Sequence, residues 1–86
     1  MSKRYQYHNS ARARATHYEN LYETQNGLCA ICRKHFNRLS IDHDHETGMI
    51  RELLCHTCNY MLGNAKDSVL ILERAIEYIV KHRTYP

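Results

Sequence analysis

Apolar residues recur along this chain with two different spacings, and the change between them marks its elements. From Ser10 to Gln25, Ala11, Ala15, Tyr18 and Tyr22 fall three or four residues apart, which predicts a helix with one apolar stripe. Asn26-Gly27 ends it. Leu39 to His45 and Met49 to Leu54 are short extended runs separated by Glu46-Thr47-Gly48, the pattern of a tight hairpin. Cys55 to Leu62 reads as a short helix stopped by Gly63. A last helix is expected from an N-cap at Asp67 or Ser68 to about Lys81, burying Val69, Leu72, Ile76 and Ile79.

These elements predict a small α+β fold in which a two-stranded hairpin and a helix form the centre, with further helices on either side. With 86 residues the chain is expected to be a single domain. Residues 1–27 would form a basic arm and helix, residues 28–64 the core, and residues 65–86 the closing helix. A chain of this size buries only about 60% of its unfolded surface, so apolar packing alone is marginal and a staple is needed. The longest uninterrupted aliphatic run, Val69 to Leu72, is too short to span a bilayer. The opening residues lack the apolar stretch of a signal peptide, and a cytosolic, cytoplasmic protein is expected.

The staple is visible in the cysteines. Cys29-Ala30-Ile31-Cys32 and Cys55-His56-Thr57-Cys58 use all 4 cysteines of the chain. In each C-x-x-C turn both thiolates can face one ion, and two such turns complete the tetrahedron that Zn²⁺ prefers. Disulfides or a redox pair fit the spacing and the expected compartment less well. The metal would be structural and closed to substrate.

The formal charge of +3 says little, but its distribution says more. Lys3, Arg4, Arg12 and Arg14 all precede the first carboxylate, Glu19, and are interleaved with Tyr5, Tyr7 and Tyr18. Arg33, Lys34 and Arg38 form a second cluster. Cations mixed with aromatic rings can track a phosphate backbone, although a solvated helix face has the same composition.

Asp42-His43-Asp44-His45 places four ionisable residues in one predicted strand, which is expensive for a half-buried element. Hard oxygen donors from Asp42 and from Asn59, just after the fourth cysteine, suit Mg²⁺ or Mn²⁺ better than zinc. A histidine beside such an ion can act as a general base. Strict strand alternation, however, puts Asp42 and His43 on opposite faces, so the strand must bend or the ion must sit at its rim.

Taken together, the paired C-x-x-C turns, the Asp42-His43-Asp44-His45 run and the Cys55-His56-Thr57-Cys58-Asn59 run resemble the recombination endonuclease VII family of phages, within the HNH or ββα-metal nucleases. The resemblance covers residues from Leu28 to the last helix and implies a zinc-stapled ββα-metal core that cleaves DNA. It implies that Asp42 and Asn59 hold the catalytic ion, that His43 is the base, that His45 donates to the scissile phosphate and that Arg51 pairs with a phosphate. Products with 5′-phosphate and 3′-hydroxyl ends would follow, in the host cytoplasm if the chain is phage-encoded. Glu52 stands where a small residue is expected, and Leu62 where the junction-resolving member has an acidic one. The chain is also shorter than that member, so it is expected to be a monomer or weak homodimer that nicks DNA without resolving junctions symmetrically. The rival reading is a non-catalytic zinc module that binds DNA, which leaves Asp42 and Asn59 without a task.

Overall fold

A computed structural model describes residues 11–83, with side chains from His17 onward. The first helix, α1, spans Ala11–Thr24, and its predicted start at Ser10 lies outside the described residues. Its end follows the expected chemistry. Asn26 and Gly27 take the left-handed conformation, φ 56° and 71°, and the Gly27 N–H reaches back to the Tyr22 carbonyl at 3.0 Å. Gly27 is required twice over: a Cβ there would lie 2.8 Å from both the Tyr22 hydroxyl and the His35 ring.

The chain then turns through a narrow loop carrying the first cysteine pair. Leu28 bridges His35, Cys29 N–H donates to the Lys34 carbonyl, and Arg33 N–H donates to the Cys29 carbonyl. Next come β1, Ser40–His43, and β2, Ile50–Leu54, paired antiparallel. Asp44 makes their turn. Its Oδ1 accepts from the N–H groups of Glu46 and Thr47 at 2.7 and 3.1 Å, and its carbonyl accepts from Gly48. This is the Asx arrangement of a short polar side chain folding its own backbone.

Helix α2 spans His56–Asn64 and α3 spans Val69–His82. Gly63 does not stop α2 as expected; the helix runs one residue past it. The reversal occurs at Lys66 and Asp67, both left-handed at φ 55° and 56°. Ser68 is the N-cap of α3, its hydroxyl accepting from Ile71 N–H at 3.1 Å.

The core is small, and half of its buried apolar residues, among those described, are cysteines. Leu39, Leu53 and Leu54 are buried with Cys29, Cys55 and Cys58, and Tyr18, Leu21, Tyr22, Phe36, Ile41 and Leu62 pack around them. Gln25 joins α1 to the hairpin in the manner of a strand residue. Its Oε1 accepts from Leu53 N–H at 2.8 Å, while its Nε2 donates to the carbonyls of Leu28 and Leu53.

The expected burial of α3 does not occur. Val69, Ile76 and Ile79 are exposed, Ile76 by 61%, and only Leu72 of the four is half-buried. The apolar stripe is present in the helix, but the tight turn at Lys66 and Asp67 carries it past the core. No described helix is long and apolar enough to cross a membrane.

Candidate active site and metal centre

The four cysteines come together. All four sulfurs lie within 4.8 Å of one another, and the Cys32 and Cys55 sulfurs are 3.9 Å apart. A tetrahedron with metal–sulfur bonds of about 2.3 Å has edges of roughly 3.8 Å, so the cluster has the size of a four-thiolate metal site. The first pair sits in the narrow loop and the second opens α2, where Cys55 is itself the N-cap and its sulfur accepts from Cys58 N–H.

Two of these sulfurs are shifted in opposite directions. Burial pushes the Cys29 thiol up, but hydrogen bonds from the backbone of Cys55, Cys32 and Ile31 outweigh it and bring its pKa down to about 6. Burial, with hydrogen bonds from the other three sulfurs and the charge of Cys29, pushes Cys58 up to about 12. A dication among the four would remove this opposition and favour thiolate at every position.

A second constellation lies where the hairpin meets α2. The hairpin register runs Ile41 to Leu53 and His43 to Ile50, so Asp42 alone faces both Arg51 and Glu52. This β-bulge bends the ladder. Its extra residue is on β2; on β1, Asp42 and His43 both line one cavity of about 710 Å³, together with His45, Asn59 and Tyr18. Asp42 is 9% exposed. The rings of His43 and His45 stack with centroids 4.8 Å apart. Asn59 is held by position, one residue beyond the Cys58 sulfur ligand, with its N–H on the Cys55 carbonyl at 2.9 Å.

Residues 2–81 match the sequence profile of the recombination endonuclease VII family. This chain belongs to that family. Among relatives, the Gene 59 protein of Mycobacterium phage D29 is 49% identical over 71 residues, covering 78% of this chain and 43% of the relative. The Gene 59 protein of Mycobacterium phage L5 is also 49% identical, over 67 residues, covering 73% of this chain and 41% of the relative. The chain thus spans less than half the length of these phage relatives. The crystal structure of the ββα-Me type II restriction endonuclease Hpy99I superposes with a TM-score of 0.60 at 29% identity, over 85% of this chain and 49% of that one. In this endonuclease VII family member, the hairpin and α2 follow one another in β-β-α order.

Within this endonuclease VII fold, Arg51 lies between two carboxylates. Its Nε donates to Asp42 Oδ2, and its Nη2 lies 3.1 Å from Asp67 Oδ2. The hydrogen bond to Asp42 is the main cause raising the Arg51 pKa, against the opposing effect of burial. Arg33, Lys34 and Arg38 are exposed, and Glu52 is exposed as well. Lys3 and Arg4 lie outside the described residues, as do the side chains of Arg12 and Arg14. Sequence reasoning missed two participants. Tyr18 lines the cavity while its hydroxyl accepts from Leu39 N–H at 3.1 Å. Asp67, expected only as a possible N-cap, instead pairs with Arg51; no local signal links residues 16 positions apart.

Proposed function

We propose that this protein is a divalent-metal-dependent DNA endonuclease whose four cysteines hold a structural zinc ion. What supports the reading is the convergence of Asp42, His43, His45 and Asn59 on one cavity in a member of the endonuclease VII family. The carboxylate of Asp42 and the amide oxygen of Asn59 are hard donors, which fit Mg²⁺ or Mn²⁺. When bound, such an ion would offset charge on the phosphoryl oxygens and on the leaving 3′ oxygen.

His43 would take the proton of the attacking water, and the oxygen so activated would form the new bond to phosphorus. His45, stacked on the His43 ring, would donate to a non-bridging oxygen of the same phosphate. Breaking the bond to the 3′ oxygen, which would take a proton from solvent water, would leave 5′-phosphate and 3′-hydroxyl ends. Lys3, Arg4, Arg12, Arg14, Arg33, Lys34 and Arg38 would meet neighbouring phosphates and set affinity and its salt dependence.

The test is nicking of supercoiled plasmid with Mg²⁺ or Mn²⁺. His43→Ala is expected to keep DNA binding and lose about 10² to 10⁴ in rate, the contribution typical of a general base. Wild-type rates in His43→Ala would overturn the base assignment. DNA binding with no divalent-dependent nicking by the wild type would instead leave a zinc-stabilised binding module.

A further inference from the structure

Three charged side chains at the rim of the site form a chain, of which the proposed reaction uses one, Asp42. The bulge sets Arg51 across from Asp42, and the reversal between α2 and α3 brings Asp67 to the far side of the guanidinium. That reversal is closely defined. Lys66 N–H donates to the Gly63 carbonyl and Asp67 N–H to the Leu62 carbonyl, at 3.0 and 2.9 Å. Asp67 holds a left-handed φ of 56°, which an aspartate or asparagine tolerates better than most residues.

The atoms used matter more than the charges. Nε and Nη2 form one edge of a guanidinium, and that edge readily forks onto both oxygens of a single carboxylate. Here the edge is divided between two carboxylates. Nε goes to Asp42 Oδ2, while Nη2 lies 3.4 Å from Asp67 Oδ1 and 3.1 Å from its Oδ2. The two acids line a second cavity of about 630 Å³, which shares Asp42, His45 and Asn59 with the first.

We propose that Asp67 is a positioning residue: by taking Nη2, it confines Arg51 to one oxygen of Asp42 and reserves Oδ1 for the divalent cation. The proposal rests on the reading of Asp42 as an ion ligand and adds to it a residue that acts through Arg51. Without Asp67, Arg51 swings its whole edge onto Asp42 and competes with the cation for the same carboxylate. With Asp67, the trio carries one net negative charge toward the cavity.

The experiment titrates Mn²⁺ by calorimetry into the zinc-loaded protein, as wild type and as Asp42→Asn, Asp67→Asn, Arg51→Gln and the Asp67→Asn/Arg51→Gln pair. Asparagine is chosen at position 67 because it keeps the left-handed turn, and circular dichroism checks the fold of each variant. Asp67→Asn is expected to weaken Mn²⁺ binding roughly tenfold, the size of coupling common in charged networks. In the Arg51→Gln background the same change should do little, under about twofold. Nicking by Asp67→Asn should return to near the wild-type rate when Mn²⁺ is raised to saturation.

Wild-type Mn²⁺ affinity in Asp67→Asn would overturn the proposal. So would an equal loss in both backgrounds, which is the mark of simple through-space charge. In either case, weakened Mn²⁺ binding by Asp42→Asn would leave the ligand assignment standing. Unchanged Mn²⁺ binding in Asp42→Asn would overturn that assignment and the positioning role together.

Discussion

Leu53 and Leu54 on β2 and Ile76 and Ile79 on α3 are similar in chemistry and opposite in surroundings. The first pair is buried among cysteines and tyrosines; the second is exposed. The hairpin region has ties from several directions: the sulfur cluster, the Gln25 amide and the Tyr18 and Tyr22 hydroxyls all reach into it. The closing helix has a sound N-cap and two basic residues, Lys81 and His82, in its last turn, yet contributes no buried side chain. Amphipathic patterning specifies that a helix can bury a face. Burial itself depends on whether the preceding turn delivers that face to a partner.

The sharpest way to separate the two regions is to remove the metal. Chelation should abolish the cooperative melting of the hairpin region, because metal binding to a small four-cysteine domain contributes on the order of the whole folding free energy. Circular dichroism and thermal melting of metal-loaded and chelated protein measure this. A chelated protein that melts as the loaded one does would remove the structural role of the cluster.

Side-chain truncation inside the hairpin region should come next. Leu53→Ala is expected to destabilise by about 2 to 5 kcal/mol, since a fully buried leucine leaves a cavity in a core with few other aliphatic members. Gln25→Ala should cost roughly 1 to 3 kcal/mol, because it strips the Leu53 N–H of its acceptor. Denaturant unfolding gives both numbers. If Gln25→Ala is silent, water replaces the amide and α1 is held by Tyr18, Leu21 and Tyr22.

The hairpin turn offers a smaller effect with a definite pH dependence. The N–H groups of Glu46 and then Thr47 hold the Asp44 carboxyl below its ordinary value of 3.8. A depressed folded pKa stabilises the protein above the unfolded pKa, and that stabilisation fades as pH falls through the folded value. The difference in melting temperature between wild type and Asp44→Ala should therefore be full near neutrality and start to shrink below about pH 4. A difference independent of pH would assign the effect to turn geometry alone.

The smallest change should come from the closing helix. Ile76→Ser with Ile79→Ser is expected to alter stability within about 0.5 kcal/mol per site, as for exposed positions that bury nothing. A loss like that of Leu53→Ala would show that α3 is covered in solution.

The elements were legible because each carries its own local chemistry. Asn26-Gly27 stops α1 through left-handed backbone, Asp44 to Gly48 closes the hairpin, and the C-x-x-C turns gather their sulfurs. Gly63 misled because a glycine ends a helix only where it takes a positive φ, and here Lys66 and Asp67 do so instead. The candidate site was legible as a set of residues but not as an arrangement. Alternation put Asp42 and His43 on opposite faces, yet both line one cavity with His45 and Asn59, which come from other parts of the chain.

The sequence alone therefore determined the helices, the hairpin, the four ligand sulfurs and the residue types of the site, because spacing and capping act within a few residues. Tertiary structure decided the rest: the bulge in β2, the Gln25 bond to β2, the pairing of Arg51 with Asp67, and the exposure of α3. Each depends on where distant segments meet, which local patterning does not specify.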